Sequence, residues 1–121
     1  MMAKNFCYLQ KIINMYIYNV TVNIEKSVKD EWLKWIKHHI AVVLATGHFT
    51  EAKFSEVITD EEVHGYTYSI QYRAKTREDL DNYYKNHAER LRKDALEKFA
   101  DKALAFRTEL RIIDEFSVTY N

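Results

Sequence analysis

The chain has 121 residues, 47% of them hydrophobic and 30% charged, which suits one globular domain and excludes a disordered chain. Lys plus Arg number 18 and Asp plus Glu number 18, so no net charge draws it to nucleic acid or to an anionic membrane surface. A single cysteine, Cys7, excludes an intrachain disulfide, and no apolar run approaches the ~20 residues of a membrane span, which points to the cytoplasm.

Met15 stands directly before the first well-patterned strand. Residues 1–14 are read as an N-terminal extension, either one that a start codon set too early would add or an ordinary arm that packs on the domain, residues 15–118 as one domain, and 119–121 as a tail. Residues 15–24 alternate: Tyr16, Tyr18, Val20, Val22 and Ile24 point one way, Asn19, Thr21 and Asn23 the other. Ser27 followed by Asp30 predicts a helix start. Trp32, Trp35, Ile36, Ile40 and Val43 then form an apolar stripe, and Gly47 stands where a left-handed stop belongs. Residues 49–59 predict a more polar edge strand, and residues 60–65 a hairpin loop.

The pattern then repeats. Residues 66–74 set Tyr66, Tyr68, Ile70 and Tyr72 against Thr67, Ser69, Gln71 and Arg73. Thr76 and Asp79 repeat the capping pair before a helix over about 77–100, with Leu80, Tyr83, His87, Leu91 and Phe99 on one side. The last strand, about 103–113, alternates Leu104, Phe106, Leu110 and Ile112 with Arg107, Glu109 and Arg111. Two strand–helix–strand units predict an α+β, ferredoxin-like βαββαβ fold: a four-stranded antiparallel sheet with two helices on one face. Placing the apolar side of every strand against the helices leaves Thr67, Gln71, Arg73, Arg107 and Arg111 on the open face.

The run His87-Ala88-Glu89-Arg90-Leu91-Arg92, the run Phe99-Ala100-Asp101-Lys102-Ala103-Leu104 and the opening MYIYNVTVNI resemble a family of short bacterial proteins, common in Bacteroidetes, called domain of unknown function 4286. The resemblance spans about residues 15–118. It implies a dimeric α/β-barrel-type fold, a homodimer, and no assigned activity. Glu89 stands where that family's pattern has proline, and Ala100 where it has glycine.

Arg73, Arg107 and Arg111, with Gln71 and Thr67, make the candidate ligand site. Guanidinium groups grip carboxylate or phosphate through paired bonds. On a face enclosed by a second copy they would hold a small polar or anionic ligand, with Arg107 as main anchor. The competing reading makes them ion pairs with Glu109 and neighbouring acids. The histidines lack metal-ligand spacing: His38 and His39 diverge by about 100° on a helix, and His48, His64 and His87 lie on separate elements, so no metal and no cofactor is expected. His87 near Tyr83 or Tyr84 is the one candidate general base. Tyr66 and Tyr68 loosely echo an RNA-stacking strand, but turning them outward would bury Ser69, Gln71 and Arg73, so no nucleic-acid partner is expected. No nucleophile motif or phosphate loop is present. The leading reading is a small non-enzymatic ligand-binding or regulatory module acting as a homodimer. A cofactor-independent oxygenase or isomerase of the dimeric α/β-barrel type is the alternative, and a protein-interaction module the second alternative. No membrane partner is expected.

Overall fold

The computed structural model describes residues 15–59 and 65–119. The extension 1–14, the hairpin residues 60–64 and residues 120–121 lie outside them. The elements run β1 (Tyr16–Ile24), α1 (Lys29–Ala45), β2 (Glu51–Glu56), β3 (Tyr66–Ala74), α2 (Arg77–Tyr83), a π-helical turn (Tyr84–Ala88), α3 (Glu89–Phe99) and β4 (Ala103–Arg111). The sheet order is β2-β3-β1-β4 with every neighbouring pair antiparallel, the ferredoxin-like arrangement expected of two split strand–helix–strand units.

The β1–β3 pairing follows the alternation. Tyr18 lies opposite Tyr72, Val20 opposite Ile70 and Val22 opposite Tyr68, and all point to the helices. Tyr18 is the hub of the core, with its ring 5.5–6.1 Å from those of Phe49, Tyr72, Tyr83 and Tyr84. Trp32 covers the other end, 5.1 Å from Tyr68 and 5.9 Å from Phe54. Such offset and edge-on contacts suit the ring quadrupoles. No buried side-chain nitrogen or oxygen among the described residues lacks a partner.

The helix ends follow local chemistry. The Thr76 hydroxyl accepts from the Asp79 backbone N–H at 3.0 Å, as its capping pattern predicts. Gly47 closes α1 with φ +85. Ser27 differs from expectation. It sits in a 3₁₀ turn (Lys26–Val28) and donates to the Glu25 carboxylate at 3.2 Å, so α1 starts without a side-chain cap. The long second helix is interrupted by its π turn, which shifts the buried spacing from Tyr83 to Ala88, five residues on.

β4 corrects the sequence reading. Ala103, Ala105, Arg107, Glu109 and Arg111 pair with Ile24, Val22, Val20, Tyr18 and Tyr16, so they lie on the helix side. Leu104, Phe106 and Leu110 lie on the open face, 52%, 67% and 44% exposed. Small alanines leave space between the helix layer and the edge strand, and Glu109 reaches Arg77 at the start of α2. The apolar side of β4 is turned to whatever covers the open face.

Candidate functional site

Between the helices and the sheet lies a cavity of about 70 Å³. Its walls come from α1 (Trp35, Ile36), α3 (Leu91, Ala95) and β4 (Ala103, Ala105), with Ile70 and Tyr72 of the central strands behind. Ala95, Ala103 and Ala105 stand where larger apolar side chains would close the space. The exposed lining residues are Arg92 and Arg107, which sets the mouth between α3 and the edge strand β4, with half-buried His39 beside it.

The α1 and α3 sides of the mouth are held in place. Arg92 donates to the Tyr18 hydroxyl at 3.0 Å and lies 5.9 Å from the Tyr84 ring. His39 stacks on Trp35, one helical turn earlier, at 4.5 Å between ring centres, and Trp35 meets Phe99 edge-on at 5.3 Å. Burial lowers the pKa of His39; Asp94 pulls it up, and His38 and Arg107 push it down further. Its imidazole is therefore neutral at pH 7. Burial raises the Tyr72 and Tyr83 phenols, so both stay protonated. No ion pair joins Arg92 or Arg107 to a carboxylate among the described residues.

The proposed site residues divide between the two faces. Thr67, Gln71 and Arg73 share the open face, as expected. Thr67 accepts from Asn23 at 3.2 Å, and Arg73 pairs with Glu51 and Glu115. Arg107 and Arg111 lie on the opposite face and do not join them. The reason is the inverted polarity of β4. Nor does Glu109 pair with Arg107 or Arg111; it pairs with Arg77 at 2.7 Å and accepts from the Tyr84 hydroxyl at 2.6 Å. Those two bonds hold its carboxyl below the usual range, the Arg77 bond first.

His87 is half-buried and outside the lining of the cavity. It lies on the π turn, 5.3 Å from His48 and 6.3 Å from Tyr83 between ring centres. His39, Arg92 and Ala105 were missed as site residues. The signal for His39 was available: Trp35 and His39 are four residues apart on one helix face. No group of His, Cys, Asp and Glu among the described residues could hold a metal ion. No described helix is long and apolar enough to cross a membrane.

Residues 15–113 match the family model described as Domain of unknown function (DUF4286), and the chain belongs to that family. No curated protein matches it in sequence. Among solved structures it is similar to a dimeric ferredoxin-like protein from an uncultured marine organism, with TM-score 0.68 and 8% identity, over 84% of this chain and 97% of that one. At that identity the likeness speaks for the fold alone.

Proposed function

We propose that this member of the family is a small non-enzymatic module that works as a homodimer and binds a small ligand in the cavity between its sheet and its helices. The observation that carries this is an apolar-walled space with two guanidinium groups, Arg92 and Arg107, at its mouth and no acid paired to either among the described residues. Positive groups held ready beside a water-poor space recognise an anion. Arg107 keeps its role as main anchor, on the helix side of the sheet. Thr67, Gln71 and Arg73 line the dimer seam in this reading. Arg111 lies two residues beyond Glu109 on the helix side, outside the cavity lining.

The seam is the open sheet face, and its occupant is a second copy. Leu104, Phe106 and Leu110 offer apolar area there. Its polar groups already satisfy one another: Asn19 donates to Thr21 at 3.3 Å and Thr108 at 3.1 Å, and accepts from Ser69 at 2.9 Å. Burying bonded groups costs far less than burying orphaned ones. Its charges, Glu51, Lys53, Arg73 and Glu115, sum to zero, so two copies meet without net repulsion. The similar fold described as dimeric supports a homodimer.

A cofactor-independent enzyme is the second reading. Neutral His39 at the mouth, stacked on Trp35, favours it, because a neutral imidazole can accept a proton. The cytoplasm remains the proposed location, a compartment that a single cysteine fits. Native mass spectrometry of the protein purified from its own host, compared with the denatured sample, tests the leading reading. The expected result is a dimer carrying a mass that denaturation removes. A monomer, or an empty dimer that also takes up no ligand on titration, would overturn it.

A further inference from the structure

We infer that the ligand is a short aliphatic monocarboxylate, its tail filling the cavity and its carboxylate held at the mouth between Arg92 and Arg107. The inference rests on the ligand-binding reading and narrows it. The size of the space sets the tail. An engineered apolar cavity of about 150 Å³ takes up benzene, roughly 25 Å³ per carbon. A cavity of about 70 Å³ therefore holds about three carbons on that scale. Butyrate, with three carbons beyond its carboxylate, matches that volume.

The walls set the chemistry of the tail. Ile36, Leu91 and the three alanines offer it no hydrogen bond, so a hydroxylated or amidated tail keeps a partner only where it meets a tyrosine hydroxyl, a tryptophan N–H or His39, while an aliphatic tail needs none. The mouth sets the head. Arg92 and Arg107 are exposed, so an ionised head stays partly in water and gains two guanidinium groups, whereas drawing it inward would strip its hydration. An amino acid is disfavoured, because its ammonium would sit beside the same two cations. Inorganic phosphate would satisfy the mouth and leave the apolar space empty.

The test is an amide-resolved NMR titration of the full chain with acetate, butyrate, hexanoate, butyramide and inorganic phosphate. Butyrate is expected to shift resonances of cavity residues and to bind about tenfold tighter than acetate, from two further buried methylenes. Hexanoate is expected to gain nothing over butyrate, and butyramide and phosphate to bind at least tenfold more weakly. Arg107→Gln, at an exposed position, is expected to lower butyrate affinity at least tenfold with the spectrum otherwise intact. Ala105→Val, the smaller perturbation, is expected to exclude butyrate. Butyramide binding as well as butyrate, or affinity rising steadily through hexanoate, overturns the inference. If no carboxylate binds while the host-purified dimer carries a removable mass, the ligand class is wrong and the binding module stands. If no probe binds and no mass is carried, both fall.

Discussion

The Arg92 guanidinium donates to the Tyr18 hydroxyl at 3.0 Å, which ties the exposed side of α3 to a central strand of the sheet. One cation of the cavity mouth is thus positioned before any ligand arrives. A preset side chain loses less rotamer freedom on binding than a free one. Tyr18→Phe is expected to leave the core packed and to weaken ligand binding several-fold by releasing Arg92. Calorimetric titration against the unaltered protein checks this, and equal affinities would remove the positioning role.

The cavity has a stability cost. At ~24 cal/mol per Å³ of residual void, a 70 Å³ space forfeits about 1.7 kcal/mol. Ala105→Val fills part of it. The expected result is a melting temperature higher by a few degrees, at roughly 4 °C per kcal/mol, together with loss of ligand uptake. A variant that melts lower would show that the wall is already full.

Phe106→Lys combined with Leu104→Lys is expected to yield a folded monomer, since both side chains stand free on the open sheet face of the protomer. Light scattering coupled to size exclusion reads the mass. The unaltered dimer should melt at a temperature that rises with protein concentration, and the variant should not. A variant that stays dimeric would place the seam elsewhere.

Acid is expected to destabilise the fold through two histidines. Protonation of His39 is opposed first by burial, then by His38 on its own helix and Arg107 on β4, with Asp94 on α3 acting the other way. Protonation of His87 is opposed by burial, His48 and Arg90. Both pKa values lie below the ordinary 6.5, so the unfolded chain binds more protons below that pH. Their contribution is complete above pH 6.5 and is lost as pH falls toward the folded values. The melting temperature should therefore drop between pH 7 and pH 5. His39→Gln with His87→Gln should flatten that drop, whereas Glu109, whose carboxyl is held low, acts only at more acid pH.

Ala100 has φ 51 and ψ −130, a conformation that disfavours any side chain with a Cβ. Ala100→Gly is expected to stabilise by about 1 kcal/mol, read from chemical unfolding. Gly65 shows the reverse case. Its φ is +88 and a Cβ would press on the Ile24 carbonyl oxygen, so Gly65→Ala should destabilise.

The fold was legible because β1 and β3 each carry one strongly apolar and one polar side, which leaves a single way to face the helices. The cap at Thr76 and the stop at Gly47 were legible because each depends on one residue's own chemistry. β4 was not. Its alternation separates Leu104 and Phe106 from Arg107 and Glu109 but does not say which side the helices take, because a second copy also covers apolar surface. Ala103 and Ala105 held the missing signal: they alternate with Leu104 and Phe106 on the side of Arg107, so small side chains rather than large ones face the helices there. With β4 reversed, Arg107 left the expected cluster with Arg73 and joined His39 and Arg92. The π turn depends on packing and left no local mark.

The strand order also governs when this protein can finish folding. Among the described strands β1 is made first, yet one of its two neighbours is β4, made last of the four. The nascent chain can assemble β1, α1, β2 and β3 early but must leave one long edge of β1 unpaired until β4 has been made. A pairing between the first and last strands is entropically slow to close. The wall carrying Ala103, Ala105 and Arg107 docks in that same final step. The cavity is therefore among the last features to form, and a ligand present during synthesis would act chiefly by holding β4 in place once it has docked.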